Sequence, residues 1–482
     1  MGVIHHLPPT QRISHLWSFR ALGLSALLGL SSCSGIGGPL QTPEGDLAPK
    51  SWKAAKGNTT KPLDTAALPQ WWERFGDSVM SQVIAVALRS SPDIRSALSK
   101  IAEARGARGV ERAQLFPQLD AGLSGQARRE DRRGSPAETT QNYGASLDAS
   151  WEVDLFGKQR QNVRAATADL AQTQENFYAA QVSLAAETAS AYLDLRTAEA
   201  QLAVLENSIT TREETLQLTR WREQAGQGNA LETQQALTSL EQARTAVPPL
   251  KQTISQTRNQ LALLAGKTPG ALDKLLTKAR PVPAPPQKIA LGIPAETLRQ
   301  RPDVRAAEHA VAAAYFRTKS AEAERYPSLN LTGSIGVEAL KAGRIFSPES
   351  TAASILGSLT APIFDAGRIR ENIVIQNERQ RQALISYEST VLKSLSEVEN
   401  ALIAIQRSSE TLEVVTRAVT AAREAAKLAA LRYEAGDVDL LDVLDAQRTL
   451  LSLEEQQVTN ARNRAAAHVQ LYQALGGGWS SR

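Results

Sequence analysis

The sequence is poor in the side chains that carry catalysis and metal binding. One cysteine, Cys33, occurs in 482 residues, so the chain can make neither an intrachain disulfide nor a thiolate cage for a metal. Of the five histidines, only His309 and His468 follow residue 32, and each stands alone in an alanine-rich segment. No nucleophile elbow, phosphate-binding glycine loop or HExxH pattern is found. These absences predict a protein that is not an enzyme, with no catalytic residues, no metal site and no cofactor.

Acidic residues are missing from the first 32 positions, which instead carry Arg12, Arg20 and the apolar run ALGLSALLGL. A basic stretch followed by about ten apolar residues is typical of a secretory signal and is too short to span a bilayer. The run ends in Leu-Ser-Ser-Cys at Cys33, which resembles the lipobox of bacterial lipoproteins. This resemblance implies a signal peptide at 1–32, N-acyl and S-diacylglycerol groups on Cys33, and an outer-membrane address because serine rather than aspartate follows. The alternative is an ordinary secretory signal in which Cys33 has no role.

A strong excess of one charge is also absent. Without the predicted signal, 52 basic and 50 acidic residues remain, and no basic stripe is interleaved with aromatic side chains. The composition therefore gives no case for nucleic-acid binding. No later segment reaches eighteen consecutive apolar residues, which predicts that the chain encodes no transmembrane helix.

The chain repeats itself at an offset of 210 residues. The matching segments are LRSSPDIR from Leu88 and LRQRPDVR from Leu298, FPQL from Phe116 and YPSL from Tyr326, the turns at Gly157 and Gly367, REQAGQGNALE from Arg222 and RYEAGDVDLLD from Arg432, and LALLAG from Leu261 and LYQALG from Leu471. Five landmarks at one offset predict two copies of one structural unit. The predicted repeats are 71–279 and 297–479. A proline-rich linker at 280–296 joins them, and an extended, lipidated N-terminal extension at 33–70 precedes them.

Alternation of apolar and polar residues marks four segments, two in each repeat. They are predicted as strands at about 118–130, 142–156, 328–339 and 352–364. Period two gives a strand one apolar and one polar face, and about nine to eleven residues cross a bilayer at a tilt. The loops between paired strands, EDRRGSPAETTQ and ALKAGRIFSPES, are predicted to lie on the outer side of the membrane. The alternative is a half-buried sheet in a soluble sandwich.

Glycine and proline are missing from two stretches, 158–225 and 368–435, each 68 residues long. Both are rich in good helix formers and predict helices roughly 100 Å long. Such length favours coiled-coil packing over a compact globule. After Gly226 and Gly436 the chain is predicted to turn and return as a second helix. The first return helix is predicted to break at Pro248-Pro249, and the second has no matching proline.

Four strands cannot close a membrane barrel, and an open edge in lipid leaves backbone groups without partners. Two chains would supply eight strands and three chains would supply twelve. The predicted fold class is mainly α with a small transmembrane β part, built from two tandem repeats of helix–strand–strand–long helix–helix. We therefore expect an obligate oligomer in which the long helices continue the barrel as a second tube, and this assembly would act as a conduit.

Several motifs together resemble the outer-membrane factor family of TolC- and OprM-like export ducts, in its NodT-like branch. The motifs are the lipoprotein start, WWERFGDSVMSQVIAVALRSSPDIRSA, SWEVDLFGKQR, APIFDAGRIR, RYEAGDVDLLDVLDAQ and the ending LYQALGGGW, and they cover about residues 70–479. The resemblance implies a homotrimer whose 12-stranded β-barrel lies in the outer membrane and continues as a periplasmic α-helical barrel. It also implies a passive efflux duct that serves a periplasmic adaptor protein and an inner-membrane transporter, usually of the RND class.

The alternative is a lipid-anchored coiled-coil scaffold or adhesin that spans the periplasm without channel activity. A scaffold would account for Cys33 and the long helices. It would not explain the four alternating segments or their repetition at an offset of 210 residues. The NodT-like features favour efflux of small molecules over protein secretion, by analogy alone.

Candidate gate residues follow Gly436, at the turn expected at the inner end of the tunnel. A spacing of three places Asp439, Asp442 and Asp445 on one helix face. Threefold symmetry would turn each aspartate into a ring of carboxylates that repels anions and binds cations, and the family's tip constriction includes aspartates here. The alternative is an ordinary solvated helix start.

The hairpin tips carry further candidates. Gly226 and Gly436 are expected to supply the backbone conformation that reverses the chain. Arg222, Arg432 and Tyr433 are candidates for contacting the adaptor or for tying neighbouring helices together. For each arginine a surface salt bridge is the alternative.

Overall fold

The computed structural model describes residues 49, 51–54, 68–130, 138–286, 294–344, 347 and 350–479. All of them belong to one folding unit that begins at Pro43. The predicted signal peptide, Cys33, most of the N-terminal extension and part of the proline-rich linker lie outside the described residues.

The order of elements repeats once along the chain. The first copy contains a 3-10 turn at Trp71–Phe75, α1 (Ser78–Ser90), α2 (Pro92–Ala113), β1 (Gln118–Glu130), β2 (Glu138–Val153), α3 (Lys158–Gln224), α4 (Ala230–Thr245), α5 (Val247–Leu264) and α6 (Asp273–Leu276). The second contains α7 (Pro294–Gln300), α8 (Pro302–Ala323), β3 (Ser328–Ala339), a 3-10 turn at Ala342–Arg344, β4 (Thr351–Thr360), α9 (Arg368–Ala435) and α10 (Leu440–Ala474).

The two long helices, α3 and α9, are the main rods of the fold. They contain 67 and 68 residues without interruption, which corresponds to about 100 Å each. The prediction made from the two glycine- and proline-free stretches is thus confirmed. No helix in the described parts of the chain combines the length and apolar character needed to cross a membrane.

The return helices differ between the repeats as their prolines predict. The first is divided at Ala246 into α4 and α5. Pro248 and Pro249 lack the N–H groups that would bond to the preceding turn, so a continuous helix cannot pass through them. The second return helix, α10, is continuous over 35 residues.

The four strands form one antiparallel sheet in the order β1-β2-β3-β4. The second strand begins at Glu138 instead of 142, because its threonines pair with the end of β1, as in Thr139 opposite Arg129. It ends at Val153 instead of 156, since the Asp154 carboxylate accepts the Gln159 and Arg160 amides at the start of α3. The fourth strand ends at Thr360 instead of 364, where Pro362 cannot donate to a ladder.

The register separates apolar from polar side chains over most of the sheet, with Leu356 on the polar face and Gln141 and Arg129 on the apolar face as exceptions. Rows on one face are Leu119–Ala149–Gly333–Ile355, Ala121–Leu147–Ile335–Ala353 and Val153–Leu329–Leu359. Rows on the other face are Asp120–Asp148–Ser334–Ser354 and Gly122–Ser146–Gly336–Ala352. The alternation seen along each strand therefore adds up to two chemically different surfaces.

The main core lies around the middle of the long helices, where both repeats meet. The Trp71 ring stacks on Tyr472 with 5.2 Å between ring centroids, which joins the start of the first repeat to the end of the second. Nearby, the buried Tyr192 hydroxyl donates to the Asp77 carboxylate at 2.7 Å. The fully buried Arg196 donates to Glu199 at 2.6 Å. The Tyr192 contact ties the cap of α1 to α3, and Arg196 also donates to the Lys278 carbonyl, after α6, at 3.0 Å.

The described part of the N-terminal extension is attached to the second repeat. Trp52 is buried in the main core. The amides of Lys53 and Ala54 both donate to the Glu399 carboxylate of α9, at 2.6 and 3.0 Å. One charged acceptor therefore holds two consecutive backbone donors of this segment.

We expect Gly266→Ala to lower the unfolding temperature more than Gly226→Ala. Both glycines have positive φ, +62° and +71°, and a side chain in that region costs about 1–2 kcal/mol. A Cβ at Gly266 would also lie 2.4 Å from the Ser90 carbonyl oxygen, whereas nothing lies within 4 Å of one at Gly226. Thermal unfolding in detergent compares the two variants. Equal shifts would contradict the close approach of Gly266 to Ser90.

Candidate functional site

The two hairpin tips have the same turn at positions 210 residues apart. Gly226 and Gly436 both adopt left-handed backbone, with φ of +71° and +82°. The residue after each glycine donates its amide back to an arginine carbonyl, Gln227 to Arg222 at 2.8 Å and Asp437 to Arg432 at 2.9 Å. This pairing satisfies carbonyls that a helix end leaves open.

The helices that leave the two turns are capped differently. In the first tip, the Asn229 side chain accepts the Glu232 amide at 3.0 Å and donates to the Glu232 carboxylate at 3.0 Å. In the second tip, Asp439 occupies the cap position but its carboxylate accepts no cap hydrogen bond. Asp439 therefore precedes the helix, which corrects the prediction that it lies on the helix face with the other two aspartates.

The remaining aspartates lie on the exposed side of α10. Asp442 is in its first turn and Asp445 in its second, and both are exposed. The opposite side of the helix buries Leu440, Val443 and Leu444 in a small core between the hairpins. Asp445 also lies 3.5 Å from the Arg448 guanidinium, an exposed pair that contributes little to stability.

Arg222, Tyr433 and Glu232 join the first hairpin to the second. Tyr433 is only 2% exposed, and the Arg222 guanidinium carbon lies 4.4 Å from its ring centroid. Arg222 donates to the Tyr433 carbonyl, and the Tyr433 hydroxyl donates to Glu232 at 3.0 Å. Burial, together with the bond to Glu232, raises the pKa of Tyr433 to about 12. We call these three residues the tip contact.

The residues predicted for the tips fall into two groups, those that join the two hairpins and those that are exposed. Tyr433 and Arg222 join helices of one chain, and Tyr433 has no surface left with which to contact another protein. Arg432 and both turn glycines are exposed. A further bond between the hairpins, from Gln447 to Thr215 at 2.8 Å, is buried.

Arg212 is a tip residue that sequence reasoning missed. It is buried and donates to Ser208 and Ser239, and no carboxylate in the described residues pairs with it. Burial is the main cause of its lowered pKa, and the charge of Arg448 adds to it. No local sequence signal marks such a residue, because its surroundings come from three helices.

Side chains that could bind a metal ion do not converge at the tips in the described part of the chain. No group of three or more histidine, cysteine, aspartate or glutamate side chains in the described residues is arranged to hold a metal ion. The arrangement instead offers a charged, exposed helix face beside a contact that determines how far apart two hairpins lie.

A family model described as outer membrane efflux protein matches the chain at residues 83–267 and 293–477. The two matched blocks are offset by 210 residues and together span more than half of the chain. This chain belongs to the outer membrane efflux protein family. The family model therefore matches once in each of the two copies inferred from the sequence.

Relatives support the same assignment over nearly the full length. The chain is 32% identical to outer membrane protein OprJ of Pseudomonas aeruginosa over 476 residues, covering 95% of this chain and 96% of that protein. It is 31% identical to the toluene efflux pump outer membrane protein TtgF of Pseudomonas putida over 473 residues, covering 95% and 97%. The resemblance to the outer-membrane factor family is thus confirmed.

Solved structures of outer-membrane channels share the fold. The channel OprN superposes with a TM-score of 0.84 at 31% identity, covering 92% of this chain and 99% of that one. The open state of the MtrE channel of Neisseria gonorrhoeae gives 0.77 at 30% identity, covering 89% and 98%. The predicted fold class, with long helices, few strands and two repeats, is confirmed for this efflux-family chain.

We expect Tyr433→Phe to separate the hairpin tips. The change removes the hydroxyl that donates to Glu232 but keeps the ring beneath Arg222, so it costs about 1–3 kcal/mol for a hydrogen bond to a charged group. Spin labels in the two turns, at Gln227 and Asp437, measure the tip separation. Tyr178→Phe on α3, where the ring stacks on Trp479, is the matched control.

The same labels test the pH dependence. The folded-state pKa of Tyr433, about 12, lies above its ordinary value of 10.0. The neutral hydroxyl therefore contributes all of its stability below pH 10 and loses it as the pH rises to 12. The wild-type tips should separate over this window and the Tyr433→Phe tips should not change. An identical response of both proteins would contradict the tip contact.

Proposed function

We propose that this protein is the outer-membrane channel of a tripartite efflux system, a passive trimeric duct that receives its substrate from an inner-membrane pump through a periplasmic adaptor. The single observation that carries the duct is the four-stranded sheet, which has one apolar face, one polar face and two open edges. Family membership and the channel structures it resembles support the same function.

The apolar face of the sheet has no cover within the chain. Leu123 and Ile355 are 90% and 92% exposed. A soluble protein rarely leaves such a continuous apolar surface in water, and a strand that faces lipid on one side and water on the other requires this alternation. The face that carries Asp120, Asp148 and Ser334 would then line an aqueous lumen.

The open edges of the sheet argue for association with further copies. Each of β1 and β4 pairs with a neighbour on one side only. Their free N–H and C=O groups would be costly in lipid, whereas pairing of β4 with β1 of another copy would satisfy them. Three copies of four strands make the twelve-stranded barrel that the family resemblance implies.

The packing of the helices also leaves one side of α9 uncovered within the chain. In the second repeat α8 packs between α3 and α9, but in the first repeat α2 packs on α3 without a second long helix. Leu98 and Val110 of α2 consequently remain exposed. Because the repeats are equivalent at an offset of 210, the free side of α9 corresponds to the side of α3 that α8 covers. We infer that α2 of a neighbouring copy covers it.

At the far end of the long helices the aspartates would form the gate. In a trimer, Asp442 and Asp445 would each contribute three carboxylates to the narrow end of the tunnel, with Asp439 preceding them at the helix start. Such rings favour cations and oppose anions. The exposed Arg432, Gly226 and Gly436 would lie where an adaptor can contact the tips.

The remaining parts of the proposal come from the chain's start and its relatives. Lipidation of Cys33 would hold the N-terminus in the outer membrane. Relatives are named as outer membrane proteins of toluene, solvent and antibiotic efflux pumps. A small organic molecule is therefore the proposed substrate class, delivered by an inner-membrane transporter of the RND class.

We expect Leu123→Asp to prevent assembly in the outer membrane and Ser124→Asp to permit it. These neighbours lie on opposite faces of β1. A basic residue on the lipid face costs up to about 2–4 kcal/mol per chain and an aspartate less, whereas the lumen face is already polar. Native mass after extraction in mild detergent should show three chains for the wild type and for Ser124→Asp. A wild-type monomer released without detergent would overturn the duct and favour a periplasmic scaffold.

We expect the double variant Asp442→Asn, Asp445→Asn to reduce the preference of the channel for cations. Removing six carboxylates from the trimer leaves the tip without the fixed negative charge that attracts cations and excludes anions. Reversal potentials in a planar bilayer under a salt gradient measure the preference. Glu388→Gln, an exposed carboxylate on α9 far from the tip, is the control. Unchanged selectivity in the double variant would remove the aspartates from the gate.

A further inference from the structure

The joints between strands and long helices share a pattern in both repeats. The segment after β2 reads Leu155-Phe156-Gly157-Lys158-Gln159-Arg160, and the segment after β4 contains Ile363 and Phe364 followed by Gly367-Arg368-Ile369-Arg370. In each, exposed apolar side chains precede a glycine and two basic residues. The proposed function above places these joints where the sheet leaves the membrane.

The stability of α3 and α9 does not explain why basic residues lie in their first turns. They occupy the first turns of α3 and α9, where the helix dipole disfavours positive charge. The helix amides there are already satisfied by acidic residues, Asp154 for α3 and Asp365 for α9. A different role is therefore needed for Arg160 and Arg370.

The basic side chains at the joints are more exposed than the acids with which they pair. Arg160 is 58% exposed, whereas Asp154, its partner at 2.9 Å, is 9% exposed. Arg370 is 82% exposed, and its one ion pair among the described residues is with the adjacent Glu371, at 3.9 Å, which is 67% exposed. Lys158 and Arg368 pair at 3.8 and 3.9 Å with the less exposed Glu152 and Glu324. At each joint the arginine is therefore more accessible to an approaching group than the acid nearest to it.

The direction of Arg160 is also informative. Its Nε donates to the Asp154 carboxylate and its Nη2 donates to the Asp154 carbonyl at 3.3 Å. The guanidinium thus folds back from the helix towards the end of β2. It lies close to Gly157, where an added Cβ would be 3.6 Å from its Nη2.

The internal repeat indicates that an oligomer would not cover these arginines. On α3, α8 already packs beside the joint, where Ser320 donates to the Lys158 carbonyl and Tyr326 stacks on Phe156. Arg160 remains exposed there. Arg370 is its equivalent 210 residues later, so α2 of a neighbouring copy would leave it exposed in the same way.

We propose that Arg160 and Arg370 bind the phosphate groups of anionic glycerophospholipids in the membrane leaflet at the strand–helix joints. The apolar side chains before each glycine, with Phe364 and Ile363 89% and 94% exposed, would lie among the acyl chains. Basic residues beside a membrane surface attract anionic headgroups. This proposal rests on the proposed outer-membrane function.

The test uses the full chain, reconstituted in vesicles of phosphatidylcholine with phosphatidylglycerol. Native mass spectrometry then counts the lipids of each class that remain bound. The wild type should retain phosphatidylglycerol over phosphatidylcholine. The variant Arg160→Gln, Arg370→Gln should lose this preference by about fivefold for each arginine, which corresponds to roughly 1 kcal/mol per basic residue.

Two further variants separate phosphate binding from folding and from total charge. Arg160→Lys, Arg370→Lys keeps the charge and should keep the preference. Arg407→Gln, Arg417→Gln removes two exposed arginines from the middle of α9 and should also keep it. An equal loss in this second control, or a wild type that retains both lipids equally, overturns the proposal.

Bilayer conductance distinguishes failure of this inference from failure of the proposed function. A protein that conducts but shows no preference for phosphatidylglycerol contradicts the lipid contact alone. A protein that neither inserts nor conducts contradicts the channel, and the lipid contact with it.

Discussion

Every backbone N–H and C=O group needs a partner, and this requirement governs both halves of the fold. In α3 and α9 the need is met inside each helix, residue after residue, because neither contains a proline to interrupt the ladder. In the sheet it is met between strands, so β1 and β4 are left with open edges. The backbone of the long helices is therefore satisfied within one chain, while the open strand edges of the proposed channel would be paired by further copies.

Sequence periodicity was sufficient for the elements and their repeat. The alternation along β2 and β3 identified which side chains share a face, and the register bears this out row by row. The ends of the strands were harder to predict from the sequence, because they depend on single side chains. Asp154 ends β2 by bonding amides up to six residues ahead, a contact that alternation does not reveal.

At the tips, short sequence motifs predicted the turns, whereas contacts between residues far apart in the sequence could not be predicted. The glycine turns and the exposed aspartates follow from short motifs. The hydrogen bond from Tyr433 to Glu232 joins residues 201 positions apart, and no pattern within either hairpin predicts it. The pair of hydrogen bonds from Lys53 and Ala54 to Glu399, over 345 residues or more, is of the same kind. Contacts between repeats arise from the fold, so sequence reasoning reaches them only after the fold is known.

The break at Ala246 gives the two hairpins different mechanics. The continuous α10 has no weak point along its length. A displacement of its tip is therefore transmitted to the aromatic core around Tyr472 without bending of the helix. The first hairpin contains a joint where helix hydrogen bonds are missing, and bending there costs less. A force applied equally to both tips would therefore flex the first hairpin at Ala246 and rotate the second as a unit about its core end.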